Sequence, residues 1–294
     1  MSFLSPLRYP GSKRRLVSYI EEALIANNLQ PSLFVEPFVG GASITLALLQ
    51  KGMVQRVILS DIDPWIASFW KTVFWDTEWL LEKIEKTPIT LEEWKKLKKS
   101  RPQNIRDQAW LCLFLNRTSF SGILRPEVGP LGGKDQTSPY KIDCRFPRKT
   151  LIKRVQEIAK FRDKVYAVWN LSWEDTFARI IAKQREGKLP TDDVFYYLDP
   201  PFFEKAKTLY RYYFRNKDHE RLRDTLLNLE QKWLLSYDSA EQVEALYGPA
   251  IASSMNGAKK SAVELLYSLS KLRKRKRGKE IVLSNLEILP EFDG

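Results

Sequence analysis

The sequence predicts an α/β fold built on a parallel sheet, and three observations carry that prediction. Short apolar strands alternate with helical stretches, beginning with Leu33-Phe-Val35, Ala42–Leu49 and Arg56–Ser60. A strongly apolar run, Val194-Phe-Tyr-Tyr-Leu198, has the length and composition of a buried strand. Hydrophobic residues make up 44% and aromatics 12% of 294 residues, enough for one large core, alone or with a smaller inserted module.

Taken in order, the chain opens with Leu7–Lys13 and an amphipathic helix over Arg14–Asn27. The strand Leu33–Val35 runs into Glu36-Pro-Phe-Val-Gly-Gly41, and Ala42–Leu49 takes up helical spacing until Gly52 stops it. Arg56–Ser60 is the second strand and ends at Asp61, completing a βαβ unit. Helices are then expected over Pro64–Lys86, Leu91–Lys99 and Ile105–Asn116. A Gly-, Pro- and Ser-rich stretch, Thr118–Pro147, follows, and a loop or hairpin of that length is usually functional or mobile. Residues 65–147 are therefore expected to be an inserted module. Sheet signals resume with helix Thr150–Phe161, strand Val165–Trp169 and strand Val194–Leu198. Helix Asp218–Gln231, strand Lys232–Ser236, the basic run Lys271–Arg277 and a last strand Glu280–Leu283 complete the chain. No internal repeat is present.

Composition removes several classes of chemistry. The 48 Lys+Arg against 36 Asp+Glu give a net charge of +12, compatible with a polyanionic partner. Two cysteines, Cys112 and Cys144, support neither a disulfide framework nor a zinc site, and no metal is expected. His219, the one histidine, excludes His-rich metal sites and most triads. With no apolar leader and no membrane-length apolar run, a cytoplasmic location and no membrane contact are the expectation.

The chemistry concentrates at strand ends, where open parallel sheets bind their ligands. Gly40 and Gly41 allow backbone to approach a ligand closely. Asp61, about 20 residues on, can accept hydrogen bonds from both hydroxyls of a ribose; Asp63 is the neighbouring candidate. There is no G-x-G-x-x-G and no G-K-[ST], which disfavours phosphate-bearing nucleotides and leaves an adenosyl ligand without phosphates. Asp199-Pro200-Pro201-Phe202 follows the apolar strand. A carboxylate and a proline carbonyl can accept from both hydrogens of a conjugated amino group, making its lone pair available to a methyl donor. The two prolines stiffen the loop, and Phe202 offers a face on which an extruded base can stack.

These segments together resemble the Dam-like, D12-class adenine-specific DNA methyltransferases, in the family's order and over nearly the whole chain. The resemblance implies a Rossmann-like, seven-stranded S-adenosylmethionine-dependent methyltransferase sheet formed by residues 1–64 and 148–294. It also implies an inserted, mostly helical target-recognition domain with a hairpin over 65–147. Arg8-Tyr9-Pro10-Gly11-Ser12-Lys13 is similar to the family's N-terminal motif, placing Tyr9 and Lys13 at the donor. Glu36, Phe38, Gly40 and Gly41 correspond to its methionine-side loop, Asp61 to its ribose acid, and Trp173 to the aromatic beside the donor's adenine, with Asp175 competing. Asp199, Pro200, Pro201 and Phe202 are the implied catalytic residues. Leu115–Arg125 is similar to the recognition hairpin, with Arg117, Phe120 and Arg125 expected at DNA: Arg125 on a base edge, Phe120 as a wedge.

The implied activity is methylation of adenine N6 in duplex DNA by a monomer, alone or beside a cognate restriction endonuclease. Cytosine-N4 methylation is the nearest alternative, an RNA or protein-amide methyltransferase the next, and a non-catalytic DNA-binding protein the alternative from another class. Phe202 departs from the family's commoner tyrosine, so no phenol can act there. Under the same resemblance His219 is structural.

Overall fold

The computed structural model describes residues 5–9, 11, 13–203, 206–238, 241–252, 258–266 and 277–291. Strands β1 (Leu33–Glu36), β2 (Arg56–Ser60), β3 (Val165–Trp169), β4 (Val194–Leu198) and β5 (Lys232–Asp238) run parallel. At one edge β6 (Lys259–Leu266) and β7 (Arg277–Ser284) add antiparallel. The order is β3-β2-β1-β4-β5-β7-β6, so the mixed α/β class and the mostly parallel sheet agree with expectation.

Alternation along each strand sorts its side chains between two layers. Phe34 and Phe195, stacked at 5.8 Å, join one apolar cluster with Val57, Leu59 and Leu234. Helices α1 (Val17–Ala26), α2 (Ser43–Lys51), α3 (Pro64–Trp75), α4 (Thr77–Lys86), α5 (Leu91–Lys99), α6 (Ile105–Thr118) and α7 (Arg148–Ala159) contribute to that layer. The intervening strand residues, including Val35, Ile58 and Tyr196, face α8 (Trp173–Arg185), α10 (Asn216–Leu227) and α11 (Glu241–Ala252). There Tyr196 stacks on Phe177 at 4.5 Å. A short helix, α9 (Ala206–Leu209), lies in the segment after β4. Because both faces are covered, β1 and β4 are buried throughout.

Some expected elements are redrawn. The single helix over Pro64–Lys86 is two helices, broken at Asp76 (φ −141°, ψ 41°). The Asp76 carboxylate accepts from Arg106 of α6 at 2.5 Å, an attraction the local pattern does not contain. Helix α8 was not anticipated: its stripe of Trp173, Phe177 and Ile180 is interleaved with Glu174, Asp175, Thr176 and Arg179, which mask the period. Helix α11 and β6 were also not anticipated. Helix α10 begins at Asn216 and ends at Leu227, earlier than expected at both ends. Residues 271–276 of the basic run lie outside the described residues; Arg277 opens β7.

The order of strands reverses between β1 and β4, and the carboxyl ends of β1, β2 and β4 open onto a common pocket. Helices from residues 65–118 are continuous with the same apolar cluster as α1 and α2. Trp70 of α3 is fully buried, and its indole N–H donates to the Gly40 carbonyl at 2.9 Å. This contact fixes the turn that leads from β1 into α2.

Candidate active site

The pocket is built from chain ends that the sheet delivers to one place. Glu36 ends β1, Asp61 follows β2, and Asp199 and Pro201 follow β4; all line it, as do Tyr9, Lys13, Phe38, Gly40 and Gly41. Gly40 sits at φ +41°, and a Cβ there would lie 2.6 Å from the Tyr9 ring. The smallness read as room for a ligand thus makes room first for Tyr9, which then forms part of the wall.

Asp61 is held rigidly. Its two carboxylate oxygens accept from the backbone N–H of Gly40 at 3.0 Å and of Asp63 at 2.9 Å. The side chain of Asn170 donates to the carbonyls of Asp61 and Ile62, tying the β3 end to the β2 end. Asp63 has different work: it caps α3 through the Trp65 N–H at 2.9 Å and pairs with Arg211 at 2.6 Å. Burial raises Asp61 to about 7, with the Asp63 charge adding to it. Burial likewise raises Glu36 to about 8, against the opposing pull of a hydrogen bond from Thr45.

Lys13 joins the N-terminal motif to the tetrad. Its ammonium lies 2.7 Å from Asp199 Oδ1 and 3.5 Å from Glu280 of β7. Burial works against that ammonium, but Asp199 and Glu280 outweigh it and hold the lysine above its usual pKa. Ser236 of β5 donates to the same Oδ1 at 3.3 Å and is itself joined to the Tyr197 hydroxyl at 3.0 Å. Glu280 and Ser236 carry no sequence motif; only the pairing of β5 with β7 brings them here.

The segment after the tetrad closes the pocket with residues not singled out from sequence. Tyr210 stacks on Tyr9 with ring centres 5.9 Å apart, and Arg211 lies over Trp65 at 3.3 Å. Tyr210, Arg211, Tyr212 and Ile62 all line the pocket. Four carboxyl groups (Glu36, Asp61, Asp63 and Asp199) face two cations, Lys13 and Arg211, each already paired. Such a lining offers carboxyl acceptors to a ligand bearing hydroxyls and disfavours a phosphate. Among the described residues no cluster of three or more His, Cys, Asp or Glu could hold a metal.

Other expected residues stand elsewhere. Trp173 lies outside the pocket lining; it is 5% exposed and packs edge-on against Phe177 in the opposite layer. Asp175 closes the cap of α8 with Ser172. Pro200 is buried, and Phe202 is 9% exposed, beneath the Lys13 ammonium at 5.0 Å and edge-on to Tyr210 at 5.8 Å. Arg117 is not at the surface: its guanidinium is buried and donates to the carbonyls of Pro6 at 2.6 Å and Arg145 at 3.4 Å. That geometry clamps the N-terminal segment. Phe120 is 53% exposed, and Arg125 lies on the turn-rich segment beyond α6. His219 is buried, bonded to the Tyr237 hydroxyl at 2.6 Å and stacked on Phe203 at 3.8 Å. Burial lowers it to about 4, so it is neutral at pH 7.

Fold and site together define an α/β protein with an acid-lined ligand pocket at the switch point of its sheet. Residues 9–263 match the model of the D12 class N6 adenine-specific DNA methyltransferase family, and the chain belongs to that family. It is also similar to the Type II methyltransferase M.MjaIII of Methanocaldococcus jannaschii, 30% identical over 135 residues. That match covers 40% of this chain and 47% of the relative, so the chain spans about half the relative's length. Among the described residues no helix is long and apolar enough to cross a membrane.

Proposed function

We propose that this chain methylates N6 of an adenine flipped out of duplex DNA, at a specific sequence, with S-adenosylmethionine as donor. The carrying observation is the position of Asp199. Lys13 and Ser236 both bond its Oδ1, beside the pocket bounded by Gly40 and Asp61. Oδ2 is then the atom available to accept from an incoming amino group, and the Pro200 carbonyl is the second acceptor. Removing electron delocalisation from that nitrogen, rather than removing its proton first, is the work asked of the site. Burial raises the Asp199 carboxyl above its usual range; the Lys13 ammonium opposes that pull and holds the side chain in place, so its alignment costs little at the moment of reaction.

S-adenosylmethionine, when bound, supplies the electrophilic methyl group. Tyr9, Lys13, Glu36, Phe38, Gly40, Gly41, Asp61 and Asp199 are the residues proposed to surround it, Asp61 accepting from its ribose hydroxyls. The sheet is then the seven-stranded sheet of such methyltransferases. Residues 65–147 are proposed as the target-recognition region of a monomer, read out by Phe120 and Arg125 and set off from a catalytic domain of 1–64 and 148–294. A separate restriction endonuclease and a cytoplasmic setting complete the reading. Cytosine N4 remains the second substrate, because Asp199 and Pro200 serve any conjugated exocyclic amine.

Incubation with tritium-labelled donor and duplex DNA, followed by digestion to nucleosides, tests the proposal. Label in N6-methyladenine is the expected result. Label in N4-methylcytosine selects the second reading, and no label in DNA overturns both.

A further inference from the structure

Beyond the pocket, the turn-rich segment holds a second charge pair with an unusual setting. The backbone N–H of Val128 donates to the Arg125 carbonyl at 3.3 Å, closing a four-residue turn with Pro126 at its second position. Proline fixes φ there and stiffens the tip. The turn stands on a short antiparallel contact, Ser119 against Pro130, with the Phe120 N–H donating to Gly129 at 3.0 Å. Helix α5 braces it from behind. Lys98 donates to the Arg125 carbonyl at 2.6 Å, and the Trp94 indole donates to Ser119 at 3.1 Å. The backbone of the tip is thus held from both sides, which frees its side chains for display.

Two side chains on that tip carry opposite charges. Arg125 Nε donates to Glu127 Oε2 at 3.0 Å, and Glu127 is 66% exposed. Arg125 holds the Glu127 carboxyl below its usual range, so the acid is charged at neutral pH. On a protein of +12 charge, an exposed carboxylate beside a DNA-facing arginine works against phosphate attraction. Its chemistry suits a different target: a carboxylate accepts from the cytosine N4 amino group, while arginine donates to guanine O6 and N7. Using Nε for Glu127 leaves both terminal nitrogens of Arg125 for guanine.

We propose that Arg125 and Glu127 form one reading head for a single G·C pair in the major groove, with Glu127 accepting from cytosine N4. The inference rests on the proposed action on duplex DNA. It adds to it a residue, Glu127, and a base pair that the recognition sequence must contain. The salt bridge already holds the two side chains side by side in the free protein.

Sequencing of methylated plasmid DNA first gives the recognition sequence, which must hold a fixed G·C pair; a sequence without one overturns the proposal. Duplexes are then made in which the cytosine of that pair is replaced by 2-pyrimidinone, which lacks the N4 amino group. Methylation by the wild type should slow about ten- to a hundredfold, whereas Glu127→Ala should treat both duplexes alike. Equal rates with the wild type overturn the role of Glu127 even while methylation proceeds. Absence of methylation on any duplex instead sinks the proposed function. A purely positioning role for Glu127 predicts that Glu127→Ala still distinguishes the two duplexes as the wild type does, and that result also overturns the proposal.

Discussion

The sheet end and the turn beyond α6 use charge in opposite ways. At the sheet end, charge is buried: Lys13 is 3% exposed, Glu36 3% and Asp61 7%, and burial dominates their energetics. At the turn Glu127 stands largely in water and Arg125 is half-buried, and an ion pair with one partner so exposed contributes little to stability. Buried charge must be fixed by partners or lose its charge, so the first region is rigid and pKa-shifted. Exposed charge is inexpensive to change, so the second region can vary without unfolding the protein. Under the proposed function, the first is the place of reaction and the second the place of discrimination.

The largest test of that separation is Asp199→Ala. Methyl transfer should fall by at least about a hundredfold, while DNA affinity measured by fluorescence anisotropy stays unchanged. Activity retained in that variant would make the tetrad a structural turn and erase the contrast.

A smaller effect concerns Glu36. Its pKa is raised in the fold from the usual 4.5 to about 8, so the folded protein holds a proton that the unfolded chain releases. Stability is therefore full below pH 4.5 and declines as pH rises towards 8. Asp61 acts in the same direction over its own lower window. Glu36→Gln should reduce the decline by about 1–3 kcal/mol, measured by urea unfolding at pH 5 and pH 8.5. An unchanged slope would assign the proton to another group. The smallest effect belongs to the turn: Trp94→Phe removes one hydrogen bond to the buried Ser119 and should cost about 1 kcal/mol. Thermal unfolding checks the loss, and a variant as stable as the wild type shows that the Trp94 bond does not brace the turn.

What the sequence made legible follows the same division. Strand ends were readable because apolar runs stop at Glu36, Asp61 and Asp199, and glycines or prolines mark the turns. Glu280 and Ser236 were not, since ordinary strand positions gain meaning only from the pairing of β5 with β7. Tyr210 and Arg211 sit in a segment whose path no periodicity sets. Arg117 was expected at DNA from the family resemblance; carbonyls distant in sequence, those of Pro6 and Arg145, hold it buried. Beyond β3 the aromatic Trp173 was the expected contact, yet Asn170 is the residue that reaches the Asp61 loop.

Asn116 gives the separation a limit. Its side chain accepts from the Arg8 N–H at 2.7 Å and donates to the carbonyls of Arg8 at 3.3 Å and Gly122 at 2.8 Å. Gly122 has no room for a side chain, since a Cβ would lie 2.2 Å from the Arg8 carbonyl oxygen. One amide therefore couples the strip bearing Tyr9 and Lys13 to the foot of the turn bearing Arg125. Under the proposed reading, a tip seated on the wrong base pair would tug on the pocket wall, so fidelity should register in the rate of turnover more than in the strength of binding.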